Sequence, residues 1–316
     1  MSDAHWQGSR VLITGARSFI GTQLCRRLIG AGAVVHGVSR APNGVDSPRM
    51  LFLSADLAQP ADMRRIVADA APDVIFHLAG HVTGSQQLST VMPTFEVNLA
   101  STVNLLTTAS ECKVRRIVLA GSMQEPDETR GEKIPSSPYA ASKWACTAYA
   151  GMFHALYQLP VVIARPMLVY GPRQWDRSKL LPIVVESLLR GEAPRLTSGT
   201  REMDWVYIDD VVDGLMAVAT TDGVEGRTLD LGTGEVISIR AVVEQVRSII
   251  GTNVAPLFGA IPDRPFESPR AALADETRRL TGWTATTSLR EGLRRTIDWY
   301  RDTMAAEAGA MSRGDV

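Results

Sequence analysis

The chain has 316 residues, which at roughly 150 residues per domain allows one large or two small domains. Hydrophobic residues make up 45% and charged residues 21%, enough apolar side chain to exclude a disordered bulk. Its 33 basic and 34 acidic side chains leave a net charge of −1, which argues against general attraction to nucleic acid or to an anionic membrane.

The first half alternates short β-branched runs with helical patterns. Strands are expected at residues 10–14, 33–39, 50–55, 73–78, 115–120 and 160–164. Helices are expected at 19–30, 61–70, 93–112 and 138–157. Strands apolar on both faces with helical crossovers predict an α/β fold, a doubly wound parallel sheet of Rossmann type. After Gly171-Pro172 the rhythm changes. Helices are expected at 179–190, 209–220 (with Asp209 as its cap), 239–250 and 289–301, and strands at 204–207 and 227–231. Residues 251–269 read as loop, and 304–316 as a frayed Ala/Gly-rich tail. The expected division is a nucleotide-binding domain at 1–171 that also receives about 204–232. A smaller mixed α/β substrate lobe takes 172–203 and 233–303.

Three cysteines (25, 112 and 146) have no metal-ligand spacing and predict reduced buried thiols, no metal, and a cytoplasmic protein. No signal pattern opens the chain, and no apolar run approaches the roughly 18 residues of a membrane span.

The first strand runs into Thr14-Gly15-Ala16-Arg17-Ser18-Phe19-Ile20-Gly21 and then a helix. A dinucleotide site needs this context: a tight turn, backbone close to the pyrophosphate, and a helix N-terminus aimed at it. The middle glycine of the fingerprint is replaced by Ser18. The second strand ends Val38-Ser39-Arg40, without the carboxylate that would accept from an NAD ribose. Arg40, with Arg17, would welcome a 2′-phosphate, so NADP(H) is favoured and NAD(H) is the alternative. Asp56-Leu57 is placed toward the adenine, and Leu78-Ala79-Gly80 along the cofactor.

Tyr139 and Lys143 lie four residues apart on one helix face, in a chain with only four Lys. An isolated Tyr titrates at about 10 and is a poor base at neutral pH. An adjacent ammonium favours its phenolate, and the same Lys can hold the cofactor ribose. Tyr then exchanges a proton with an alcohol or carbonyl oxygen while hydride moves to or from a nicotinamide. Ser122, just past the fifth strand, sits on the edge where such sheets bind ligands and is expected to polarise that oxygen. His81 is a candidate to face the substrate.

These residues make the chain resemble the extended short-chain dehydrogenase/reductases, in particular their NAD(P)-dependent epimerase/dehydratase group. The likeness includes TGARSFIG at 14–21, HLAG at 77–80, Asn98 within VNLASTVNLL, Ser122 and PYAASK at 138–143. It continues through RPMLVYGP at 165–172, DWVYIDDVV at 204–212 and GWTATTSLREGLRRTIDWY at 282–300. The resemblance implies a Ser-Tyr-Lys catalytic set, Pro166 at the cofactor, a nucleotide-sugar substrate, and a homodimer built from the helices at 93–112 and 138–157.

Departures from the group's pattern narrow the reaction. Sugar 4,6-dehydratases carry Asp-Glu directly after the catalytic hydroxyl residue. Met123-Gln124 stand there in this chain, and neither is an acid or base at neutral pH. Glu125 comes one position late and is expected to be structural or capping. Two usual diphosphate anchors are replaced by Leu168 and Met203, leaving Arg173, Lys179, Arg201 and Arg264 as candidates to substitute. The expected activity is reduction of a nucleotide-linked 4-keto-deoxysugar with Tyr139 as proton donor. An epimerase is the alternative enzyme, and an NADP-sensing binding protein the non-enzymatic one.

Overall fold

The computed structural model describes residues 5–40, 49–127, 131–266 and 268–311. It divides into two compact units, each assembled from separate stretches of chain. Unit 1 comprises Met1–Pro166, Val211–Leu231 and Leu273–Thr284; unit 2 comprises Met167–Asp210, Gly232–Ala272 and Ala285–Val316.

Unit 1 is built on seven parallel strands: β1 (Arg10–Thr14), β2 (Val34–Ser39), β3 (Met50–Ser54), β4 (Val74–His77), β5 (Arg116–Ala120), β6 (Val161–Pro166) and β9 (Thr228–Leu231). Their order is β3-β2-β1-β4-β5-β6-β9, so the winding reverses between β1 and β4. Strands such as Val11–Ile13 and Val74–Phe76 are buried on both faces, as their unbroken apolar runs require. On one face Leu12, Ile75, Ile117 and Ile163 pack with the apolar stripes of α2 (Pro60–Ala70), α4 (Ser101–Ser110) and α5 (Pro138–Tyr157). Helix α1 (Phe19–Gly30) buries Leu24, Cys25 and Leu28.

The helical stretch expected at 93–112 is not one regular helix. It runs as α3 (Val91–Thr94), a π-helical segment (Phe95–Ala100) and α4, preceded by a 3₁₀ turn at Leu88–Thr90. Helix α7 (Ile208–Thr220) already contains Asp209 in its first turn, so Asp209 does not stand before the helix as its cap. A short polar helix, α9 (Ala274–Thr281), returns to unit 1.

Unit 2 carries a three-stranded sheet of β7 (Leu168–Tyr170), β8 (Glu202–Tyr207) and β10 (Val236–Ser238), with β8 parallel to β7 and antiparallel to β10. Of the 204–232 stretch expected in the nucleotide-binding domain, Val211–Leu231 falls in unit 1, while β8 belongs to the sheet of unit 2. Helices α6 (Leu180–Leu189), α8 (Ile239–Ile250) and α10 (Leu289–Met311) complete this unit. Residues 304–311, expected to fray, continue α10; residues 312–316 lie outside the described residues. Among the described residues no helix is long and apolar enough to cross a membrane.

Cys25 and Cys146 are buried thiols, but Cys112 is exposed, because the chain leaves α4 two residues earlier and turns there toward β5. Burial pushes the Cys25 thiol up to about 12.

Candidate active site

The turn between β1 and α1 shows why two of its glycines are required. Gly15 has a φ of +70°, and a Cβ there would stand 2.8 Å from the Ala79 nitrogen. A Cβ on Gly21 would fall onto the Gly15 carbonyl oxygen. Any larger residue would therefore separate the loop from β4 or from α1. Ser18 replaces the fingerprint's middle glycine for a visible reason. It is the N-cap of α1, and its Oγ accepts the Gly21 N–H at 3.0 Å. Gly21 is thereby satisfied, and the first-turn N–H groups of Phe19 and Ile20 are left facing the helix N-terminus without intrahelical acceptors. This close-packed glycine turn under a helix N-terminus fits a dinucleotide pyrophosphate.

Arg17 and Arg40 are both exposed. The Arg17 guanidinium stacks on the Phe52 ring at 5.0 Å, and Arg40 follows directly on β2. Residues 41–48 lie outside the described residues. Asp56 is exposed, its carboxylate accepting the Ala58 N–H, and the Leu57 carbonyl accepts from Asn104.

Leu78, Ala79 and Gly80 follow β4 and are half-buried. Thr14 Oγ1 accepts the Ala79 N–H at 3.2 Å and bonds His77 Nδ1 at 2.8 Å. His77 is fully enclosed; burial, then the Lys143 charge, holds its imidazole down to about 3. The ring is therefore neutral, and Ser101 Oγ lies 3.4 Å from its Nε2. Asn98, within the π segment, accepts the His81 N–H at 2.7 Å and donates to Ser142 Oγ at 2.8 Å. His81 itself is exposed. A Cβ on Gly80 would lie 3.3 Å from Asn98 Oδ1 and 3.7 Å from Lys143 Nζ, so the loop after β4 reaches the lysine.

Helix α5 starts at Pro138 and is capped by Ser137, whose Oγ accepts the Ala140 N–H. Tyr139 and Lys143 are both buried on it. Lys143 Nζ donates to the Ala120 carbonyl at 2.9 Å, tying α5 to the end of β5. Ser122, also buried, lies two residues beyond that carbonyl. Its Oγ accepts the Gln124 N–H at 3.2 Å. Its N–H donates to Glu125 Oε1 at 2.6 Å, and Glu125 Oε2 accepts from Thr147 at 2.8 Å. Both Glu125 oxygens are thus engaged within the protein, in keeping with a structural carboxylate. Met123 and Gln124 are half-buried. Pro166 ends β6.

The structure thus gathers Gly15, the 78–80 loop, Ser122 and the Tyr139–Lys143 pair around the C-terminal ends of β1, β4 and β5. His77, Thr14, Asn98 and Thr147 complete this network. Thr14, His77 and Asn98 lie in stretches that carry the family resemblance, but the sequence assigned them no partners, and Thr147 lies outside those stretches.

The remaining candidates belong to unit 2. Arg201, before β8, is half-buried; burial lowers its affinity for the proton, and the neighbouring Arg264 charge adds to this against Asp263. Lys179 pairs with Asp176 at 3.4 Å. Arg173 is exposed and left-handed, with a φ of +68°. Leu168 opens β7, and Met203 is buried in β8. Among the described residues no group of acidic, His and Cys side chains is arranged to hold a metal.

Residues 11–232 match the NAD dependent epimerase/dehydratase family, and the chain belongs to that family. A UDP-glucose 4-epimerase from Mycolicibacterium smegmatis is 31% identical, with 93% of this chain and 99% of the relative covered. A dTDP-glucose 4,6-dehydratase from Streptomyces griseus is 30% identical over 92% of this chain and 94% of its own. Among solved structures, the UDP-glucose 4-epimerase of Thermotoga maritima with UDP-glucose superposes with a TM-score of 0.84 at 25% identity, covering 93% of this chain and 99% of that one. The Bordetella bronchiseptica enzyme WbmF in complex with NADH gives 0.81 at 25% identity, covering 99% and 97%.

Proposed function

We propose that this protein is an NADPH-dependent reductase of a nucleotide-linked 4-keto-deoxysugar. The observation that carries this reading is the pairing of an intact Ser122–Tyr139–Lys143 set with a turn that offers no acid or base for dehydration. Met123 and Gln124 cannot transfer protons at neutral pH, and both Glu125 oxygens are occupied. Hydride transfer is the chemistry a bound nicotinamide supplies. Around it, Ser122 Oγ donates a hydrogen bond to the ketone oxygen, and Tyr139 gives that oxygen its proton as the alcohol forms. Lys143, anchored at the Ala120 carbonyl, keeps its ammonium one helical turn from Tyr139 and holds the ribose. The Phe19 and Ile20 N–H groups take the pyrophosphate, Gly15 and Gly21 let the backbone lie close to it, and Ser18 fixes the cap. Asp56 and Leu57 take the adenine; Leu78, Ala79, Gly80 and Pro166 line the cofactor.

Arg17 and Arg40 favour NADPH, since no carboxylate ends β2 and both guanidinium groups are exposed. Arg201 and Arg264, with the Arg264 charge close enough to act on Arg201, are the assignment best supported for the substrate diphosphate. His81, Met123, Arg173 and Lys179 are secondary candidates. We assign the protein as a homodimer.

An epimerase is the second reading, supported by the 31% identity to the mycobacterial UDP-glucose 4-epimerase. The test follows NADPH and NADH oxidation with dTDP-4-keto-6-deoxyglucose. The reductase reading predicts net consumption, with kcat/KM at least about tenfold higher for NADPH. The Arg17→Ala/Arg40→Ala pair removes most of that preference, since a lost phosphate contact costs about 1.5–3 kcal/mol. Tightly retained cofactor without net consumption supports the epimerase, and a preference for NADH contradicts the cofactor assignment.

A further inference from the structure

Glu125 has no assigned role in the chemistry, yet it joins the two elements that carry the candidate catalytic groups. Its carboxylate is buried, with 3% exposure. Oε1 takes the Ser122 N–H at 2.6 Å, while the Glu125 N–H returns to the Ser122 carbonyl at 3.1 Å. The turn bearing Ser122 is therefore closed on both sides by one residue. Oε2 takes the Thr147 hydroxyl at 2.8 Å. Thr147 lies one helical turn past Lys143 and two past Tyr139, on the same face of α5. Room for the carboxylate comes from Gly121, where a Cβ would stand 2.9 Å from Glu125 Oε1 and 2.8 Å from Ile163 Cγ2. The Lys143–Ala120 bond is a first tie between α5 and the end of β5; Glu125 makes a second, directly to Ser122.

We propose that Glu125 is a positioning residue, a carboxylate strut that sets Ser122 in register with Tyr139 and Lys143 through Thr147. The inference rests on the reading of Ser122, Tyr139 and Lys143 given above. The strut acts by accepting hydrogen bonds, without giving or taking a proton. A misplacement of about 1 Å at a reacting group can cost on the order of 100-fold in rate.

Glutamine separates these roles. In Glu125→Gln the amide oxygen still accepts from Ser122, and its NH₂ donates to Thr147, whose hydroxyl can accept. Alanine removes both bonds, and Thr147→Val removes only the helix side. With dTDP-4-keto-6-deoxyglucose and NADPH as probes, Glu125→Ala is expected to lose about 10- to 100-fold in kcat with KM changed less than about threefold. Glu125→Gln is expected to recover kcat to within about threefold of the parent, with an unchanged pH profile, and Thr147→Val to fall between them.

Amide hydrogen exchange on the full chain needs no substrate. Ser122 and Gln124 should exchange at least about tenfold faster in Glu125→Ala and Thr147→Val than in the parent or Glu125→Gln. Parental exchange at these amides in Glu125→Ala overturns the strut, as does a Gln variant as slow in turnover as the Ala variant. Should Glu125→Ala not fold, Thr147→Val with parental exchange and kcat overturns it equally. If the parent does not turn over the probe, or Tyr139→Phe retains full turnover, it is the reading of the catalytic set that fails. The exchange comparison still decides the strut.

Discussion

His77 is an ordinary histidine in composition and an unusual one in place. Enclosed between Thr14 and Ser101 at the end of β4, it is kept neutral by burial and by the Lys143 ammonium, with its titration held down to about 3. The unfolded chain binds this proton near pH 6.5, so between these values the unfolded state carries more protons. Stability therefore rises with pH through this window and falls on acidification. His36 shifts the same way, through burial and then Arg10. Urea unfolding of His77→Gln between pH 4.5 and 6.0 should show a pH dependence shallower by up to about 1.4 kcal/mol per pH unit, one proton's worth. An unchanged slope would mean that His77 titrates freely in the folded protein.

At the scale of elements, α1 and α5 were legible from their helical spacing, whereas the caps Ser18 and Ser137 emerge only in the structure. The π segment was not. A local widening of the helix is set by what Asn98 must reach, namely the His81 N–H and Ser142, and those partners are tertiary. Strands β7 and β10 have three residues each, too few for a periodic pattern, and α9 is almost wholly polar. Tyr139–Lys143 could be read from spacing alone, whereas Thr147 and Glu125 gain meaning only once β5 and α5 are side by side. The same helices leave large apolar side chains in water: Met92 is 56% and Phe95 47% exposed before α4, and Tyr149 is 40% exposed on α5. Exposed apolar side chains on these helices are where the proposed homodimer would pair. Light scattering should give a dimer mass for the parent and a monomer for Phe95→Glu/Tyr149→Glu. A monomeric parent would contradict the assigned dimer.

At the scale of the whole molecule, both units depend on segments distant in sequence, and buried carboxylates hold those segments in place. In unit 1 Asp230 binds Arg165 at 2.6 Å and the Leu273 N–H at 3.0 Å, fixing the returning chain against β6 and β9. In unit 2 Asp204 accepts the N–H groups of Thr233, Gly234 and Ala272, and Asp210 those of Thr286 and Thr287. The 204–212 motif could be quoted from the sequence, but its task of gathering later segments needed the fold. The ends of β1, β4 and β5, where Tyr139 is proposed to deliver the proton, belong to unit 1. No described residue hydrogen-bonds the Tyr139 hydroxyl, which leaves it available for that exchange. The most direct measurement is NADPH oxidation with dTDP-4-keto-6-deoxyglucose by the parent and by Tyr139→Phe, with folding checked by circular dichroism. The account predicts a loss of about 10²- to 10⁴-fold in kcat for the phenylalanine variant, the usual worth of a positioned general acid. A folded Tyr139→Phe protein turning over at the parent's rate would contradict it.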